Sequence, residues 1–278
     1  MGVRRAVELA VGKAKHPEKI YTLGPLIHNP RVLEDLKRMG VKTLDSGNLP
    51  EDLNGISVII PAHGISPQME AELYKRGARL IDATCPKVKA SQLKAADLAK
   101  AGYRLFLAGE KSHAELVGIR SYAETANGRC IVVGNAREAG IAAEKLRAEN
   151  PEPGVKTALI GQTTISAEEY LQIGRAIIRV FADLQIAQTI CAATIERQDS
   201  LRELLKTVDA VIVAGGKESA NTLRLLAIAE TSGKPCVLVE TQADIPPHFY
   251  GFDSVGLAAG ASTPDTVIDE IEEALVSG

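Results

Sequence analysis

One ruler fits this chain three times. Laid from the position before Met1, from Cys85 and from Cys191, it finds glycine at step 24 (Gly24, Gly109, Gly215). At step 28 it finds a polar, ligand-type residue (His28, His113, Ser219), and at step 30 Pro30, Glu115 and Asn221. A chain built this way is one α/β unit written three times. The repeat overrides the two-domain prior that 278 residues would give at roughly 150 residues per domain. It predicts three lobes, 1–84, 85–190 and 191–278. Three equivalent loops can then converge on a pseudo-threefold axis and share one central site.

Each copy reads in the same order. A helix opens it: Gly2–Lys15, the segment after Cys85-Pro86, and Ala192–Leu205. Pro86 suits a first helical turn. A strand follows (Lys19–Leu23, Tyr103–Ala108, Ala210–Ala214), then a glycine loop and a second helix from Pro30, Glu115 or Asn221. A short strand comes next: Val41–Leu44, Cys130–Val133, Cys236–Val239. Another strand (Ser57–Ile60, Thr157–Ile160, Val255–Ala258) enters a loop of small residues. Ser166 with Glu169 reads as a capping box, and Thr263-Pro264 as an N-cap with a first-turn proline. Copies one and two close with strands Ala78–Thr84 and Leu184–Ile190, whereas copy three stops at its helix. A strand and a cysteine ahead of Met1 would fill both gaps, so lobe 1 is expected to lack its first strand and first cysteine. Strands alternating with helices predict mostly parallel sheets covered on both faces, with ligands at the carboxyl ends of the strands.

Composition narrows the function. Net charge is −3, and Lys and Arg are scattered, with no basic block or aromatic ladder, which speaks against nucleic acid. No apolar run approaches the ~20 residues of a membrane helix, and no secretory h-region opens the chain. Four spaced cysteines fit a reducing cytoplasm better than a disulfide framework.

Cys85 and Cys191 recur at equivalent strand-to-helix junctions. Helix N-termini favour the thiolate, and thiolate ligands of one cluster need a common locus. Cys130 and Cys236 open apolar strands and read as buried structural thiols. His28, His63 and His113 lie in loops opening onto one face, where function outweighs solvated surface. His16 and His248 read as surface residues. Glu115 is equally a first-turn carboxylate facing the helix dipole or a proton donor. Ser219, Asn221 and Ser262 fit helix caps, and caps beside free N–H groups are also anion sites. No P-loop or dinucleotide fingerprint is present.

Motifs along the chain carry a resemblance. Gly2-Val3-Arg4-Arg5-Ala6, Ile27-His28-Asn29, Ala62-His63-Gly64, Asp82-Ala83-Thr84-Cys85-Pro86 and Ser112-His113-Ala114-Glu115 come first. Gln162-Thr163-Thr164, Cys191-Ala192-Ala193-Thr194, Ser219-Ala220-Asn221 and Gly260-Ala261-Ser262 follow in order. Together they resemble the 4-hydroxy-3-methylbut-2-enyl diphosphate reductases of non-mevalonate isoprenoid synthesis. The resemblance implies a trefoil of three α/β lobes around a 4Fe-4S cluster held by three cysteines, with Cys85 and Cys191 as two of them. It implies that an open iron takes the substrate hydroxyl, which leaves as water, giving isopentenyl and dimethylallyl diphosphate. It implies Glu115 as proton source with His113 and Thr163 beside it. It implies a diphosphate held by His28, His63, Ser219, Asn221 and Ser262. The electron donor would be of ferredoxin or flavodoxin type.

Two departures stand out. Ala220 replaces a serine usual in the family, removing one phosphate donor. The first cluster cysteine would fall immediately before Met1, so the chain as given is expected to hold an incomplete cluster and to reduce poorly. Two other readings remain. One is another trefoil iron–sulfur enzyme, quinolinate-synthase-like. The other is a non-catalytic trefoil that keeps the diphosphate pocket alone.

Overall fold

The computed structural model describes residues 2–15, 19–152 and 154–277. They form two compact units: Met1–Leu26 with Val41–Cys191, and Ile27–Gly40 with Ala192–Gly278. The helix α2 (Pro30–Arg38) belongs to the second unit, although sequence order groups it with the first copy.

The first unit holds two sheets. One has β1 (Lys19–Leu23), β2 (Lys42–Leu44), β3 (Ile56–Ile60) and β4 (Arg79–Asp82) in the order β2-β1-β3-β4. Helices α1 (Gly2–Ala14) and α3 (Pro67–Lys75) accompany it. The other has β5 (Arg104–Ala108), β6 (Arg129–Val133), β7 (Thr157–Gly161) and β8 (Gln185–Ile186) in the order β6-β5-β7-β8. Its helices are α4 (Pro86–Lys100), α5 (Ala114–Thr125), α6 (Ala136–Glu149) and α7 (Ala167–Ile178). The second unit adds α8 (Ala192–Leu204), β9 (Ala210–Ala214), α9 (Ala220–Thr231), β10 (Cys236–Val239), β11 (Val255–Ala259) and α10 (Asp265–Ser277), with sheet order β10-β9-β11. Every strand pair is parallel. The α/β class read from the sequence therefore stands, with one parallel sheet per repeat.

Period-two burial explains the layering. Along β5, Leu105 and Leu107 pack into one core with Leu98, Leu116 and Ile119, while Phe106 and Ala108 enter the opposite core with Tyr170, Ile173 and Phe181. Along β9, Ala210, Ile212 and Ala214 face Phe249 and Ile271, and Val211 and Val213 face Leu201 and Leu225. Both faces of these central strands are dry, as parallel sheets require. A fully buried Leu or Phe contributes about 1.5–3 kcal/mol relative to exposure, so the central strands dominate the stability.

The step-24 glycines do one job three times. Gly24, Gly109 and Gly215 end their strands at φ +66°, +147° and +151°. Each N–H donates to the last carbonyl of the neighbouring short strand, at Leu44 (2.9 Å), Val133 (3.0 Å) and Val239 (2.9 Å). A Cβ at Gly215 would sit 2.6 Å from Thr222 Oγ1 and 2.9 Å from Thr263 Oγ1. Gly215→Ala is expected to cost about 1–3 kcal/mol, because positive φ and overlap act together. That lowers Tm by roughly 2–4 °C per kcal/mol in a chain of this size, which a thermal melt reads.

Three features depart from the sequence reading. Among the described residues the helix α6 has no α-helical counterpart in the other copies, where the third has two short 3-10 turns, and the sequence reading placed no helix there. Its N-cap Asn135 accepts from Glu138 N (3.0 Å), and Glu138 Oε2 accepts from Gly134 N (3.0 Å). The strand expected over 184–190 is only Gln185–Ile186. Side chains replace its ladder: the Tyr170 hydroxyl lies at the carbonyls of Leu159 (3.0 Å) and Ala187 (2.8 Å), and Gly161 N donates to Thr189 Oγ1 (2.9 Å). Thr263 is not a cap, since its hydroxyl donates to Ala214 O (2.9 Å). Ser166 does cap α7, accepting from Glu169 N at 3.1 Å.

Candidate functional site

In the first unit Thr163 and His113 meet at a buried carboxylate. Glu115, in the first turn of α5, is 3% exposed. Its Oε1 accepts from Thr163 N at 2.7 Å and its Oε2 from Thr163 Oγ1 at 3.0 Å. Thr163 also accepts, at its carbonyl, from Cys191 N (2.9 Å). His113 is the N-cap of α5, its Nδ1 accepting from Glu115 N at 3.2 Å. With Nδ1 an acceptor, the neutral ring carries its proton on Nε2. His63 has the other tautomer: Nδ1 lies 2.9 Å from Gly64 O, and a carbonyl only accepts.

Cys85 and Cys191 are unpaired, half-buried thiols at the starts of α4 and α8. The turn before Cys85 is clamped. Arg5 donates to Thr84 O (3.2 Å) and Asp82 O (3.3 Å), and Asp82 Oδ1 accepts from Thr84 N (2.8 Å). Burial pushes the Asp82 carboxyl up, but Thr84's hydroxyl and amide, with Lys89 and Arg5, outweigh it and hold it below the usual range. Gly2 lies against Cys85, where a Cβ would overlap Sγ. The thiols and this cradle fit soft-metal ligation by two thiolates. Among the described residues no group of three or more His, Cys, Asp or Glu could hold a metal ion. The expectation of a missing first cysteine falls before Met1, which lies outside the described residues, as does His16. Burial pushes Cys130 up to about 12, with Glu124 adding and Arg120 opposing, and burial with Glu230 raises Cys236. Both are poor thiolates, in keeping with a structural role.

In the second unit His28 precedes α2, and Ser219 caps α9 by accepting from Thr222 N at 3.4 Å. Gly216 admits the His28 backbone, because a Cβ there would overlap the His28 carbonyl. His28 Nδ1 is 3.8 Å from Glu218 Oε2. Asn221 is 6% exposed and Ser262 8% exposed. Neither amide atom of Asn221 has a partner, nor do Ser262 Oγ and Thr222 Oγ1. Asn221 and Ser262 therefore do not act as caps, and an unpaired buried polar group costs about 1–3 kcal/mol until something binds it.

Sequence reasoning missed the buried amides. Gln92 and Gln198, at 0% and 2% exposure, both stand seven residues past a landmark cysteine, so the same ruler could have found them. Gln92 Nε2 and Oε1 and Gln198 Nε2 lack partners. Gln162, part of the Gln162-Thr163-Thr164 motif but given no role from sequence, is also fully buried.

A model of the LytB protein family matches residues 1–276. A 4-hydroxy-3-methylbut-2-enyl diphosphate reductase of Treponema denticola is 44% identical, covering 100% of this chain and 96% of that protein. The same-named enzyme of Aquifex aeolicus is 38% identical, covering 98% and 90%. Among solved structures, the E-1-hydroxy-2-methyl-but-2-enyl-4-diphosphate reductase of Plasmodium falciparum superposes with TM-score 0.87 at 28% identity, covering 98% of this chain and 83% of that one. A second, (E)-4-hydroxy-3-methyl-but-2-enyl diphosphate reductase, the terminal enzyme of the non-mevalonate pathway, gives TM-score 0.71 at 36% identity, covering 100% and 95%.

Proposed function

The chain belongs to the LytB family, and from that premise we propose that Glu115 is its proton source in the reduction of 4-hydroxy-3-methylbut-2-enyl diphosphate. It is an oxidoreductase of the non-mevalonate isoprenoid route, as its relatives are. That membership decides against the quinolinate-synthase-like reading. The three-lobe division, 1–84, 85–190 and 191–278, belongs to the same proposal and is supported by one sheet per repeat.

The observation carrying the mechanism is the carboxylate of Glu115 gripped at both oxygens by Thr163. The substrate's C–O bond breaks, two electrons enter, one proton leaves with the hydroxyl as water, and one is added to carbon. A buried carboxyl in fixed orientation can hand over a proton without solvent reorganisation. His113, with its proton on Nε2, is a donor beside it. Cys85 and Cys191 would supply two of the three thiolates of a 4Fe-4S cluster, which when bound supplies the electrons and a Lewis-acidic iron. Lys87 and Lys89 follow Cys85 in sequence and Arg5 donates to the Thr84 and Asp82 carbonyls of its turn, and this positive charge suits an acidic ferredoxin- or flavodoxin-type donor.

Ser219, Asn221, Ser262 and His28, all in the second unit, form the diphosphate set. Unsatisfied Asn221 and Ser262 groups beside the N-terminus of α9 support it, since helix N-termini take anions. Titration of the cluster-free chain with substrate by calorimetry tests this set apart from turnover. Asn221→Leu is expected to weaken binding at least tenfold, about 1.4 kcal/mol. Unchanged affinity would remove Asn221 from the site.

A further inference from the structure

Gln162 lies next to Thr163 in sequence, and its bonds reach the loop that leads into Glu115. Its side chain is fully buried. Oε1 accepts from Glu110 N at 3.1 Å, and Nε2 donates to Thr164 Oγ1 at 2.9 Å. Its backbone N donates to Ala108 O at 2.8 Å, and its carbonyl accepts from Ile165 N at 3.1 Å. One residue thus ties the Gly109–His113 loop to the Gln162–Ser166 loop through side chain and main chain together.

Gly109 is shaped around it. A Cβ there would stand 2.6 Å from Gln162 Oε1 and 2.8 Å from its Cβ, at a φ of +147° that side chains rarely adopt. The equivalent loop positions in the other copies are Ala62 and Gly260. Both keep a backbone bond, Ala62 N to Leu26 O in the loop after β1 (3.3 Å) and Gly260 N to Ala214 O at the end of β9 (2.8 Å), but have no polar side chain to add to it. The copy with the gripped carboxylate is the copy with the amide strut. An amide suits the place: it offers an acceptor and a donor to two loops and, being neutral, adds no charge near Glu115.

We propose that Gln162 is a positioning residue that sets the Glu115–Thr163 contact by fixing the Glu115 loop to the Thr163 loop. This rests on the reading of Glu115 as proton source, but part of its test does not. Gln162→Met keeps length and removes both side-chain bonds. In the cluster-free chain, amide hydrogen exchange at Thr163 and Glu110 is expected to speed up at least tenfold, with the amides of β9 and β11 unchanged. In the cluster-loaded enzyme, kcat is expected to fall at least tenfold with KM within about twofold. Gln162→Glu keeps the acceptor for Glu110 N, so protection at Glu110 should recover while that at Thr163 stays partial.

Unchanged exchange at Thr163 in Gln162→Met would overturn the proposal. So would exchange rising equally at every amide, or an equal loss in kcat/KM carried by KM alone. Faster local exchange with unchanged kcat would place the failure in the role given to Glu115 and leave the strut, stripped of its catalytic purpose, refuted as a positioning residue for the reaction.

Discussion

Replacing Glu115 by glutamine is expected to lower kcat by about 10²–10⁴-fold, the span that general acid–base groups contribute. The substitution is close to isosteric. Thr163 N can still donate to the remaining carbonyl oxygen, and the Thr163 hydroxyl can turn to accept from the new amide, so both contacts of 2.7 Å and 3.0 Å survive in changed polarity. What is lost is the titratable proton. Binding should hold, with KM within about threefold, because the residues proposed to bind the diphosphate are untouched. Steady-state kinetics with a chemical reductant read both constants and bypass the protein donor. Glu115→Asp retains the proton but draws the carboxyl back by one methylene from Thr163, so it should fall between the two. A Glu115→Gln enzyme with wild-type kcat would remove Glu115 from proton delivery altogether.

Loss of either landmark thiol should be more complete. Cys85→Ser and Cys191→Ser are expected to reduce iron content and visible cluster absorbance to background after anaerobic reconstitution. Cys130→Ser and Cys236→Ser should leave both unchanged. The contrast follows from position. Cys85 and Cys191 stand at the equivalent strand-to-helix junctions that open α4 and α8, half-buried and unpaired. Burial pushes Cys130 up to about 12, so forming its thiolate at neutral pH is costly. Iron retained at wild-type levels by Cys85→Ser or Cys191→Ser would exclude that residue as a ligand.

Much of this architecture was legible before any coordinates. The glycines at step 24 are visible because only glycine turns a strand end at strongly positive φ without cost, and the local requirement leaves a local mark. The central strands are visible because two dry faces demand unbroken apolar runs. The helix α6 was not, although Asn135 and Glu138 mark its start, because a ruler tuned to what recurs passes over what occurs once. The grouping of residues 27–40 with the second unit was not legible for a different reason: which segments pack together is decided by surfaces that adjacency in the chain does not reveal. The candidate site divides the same way. His113, Glu115, Cys85 and Cys191 declare themselves by chemistry and spacing. Gln162 and Thr222 look like ordinary polar residues until the fold buries them.

The second unit is made of two pieces separated by the whole of Val41–Cys191. During vectorial synthesis its first piece leaves the ribosome long before its second. At about 5–20 residues per second the wait is on the order of ten seconds. Throughout it, the α2 side chains Val32 and Leu36, buried in the finished fold, have no finished partner surface. The first unit can close early around its own sheets, but the second cannot begin as a unit until Ala192 onward has emerged. Nascent chains halted before that point should therefore present α2 to chaperones and proteases, and its protection should appear last.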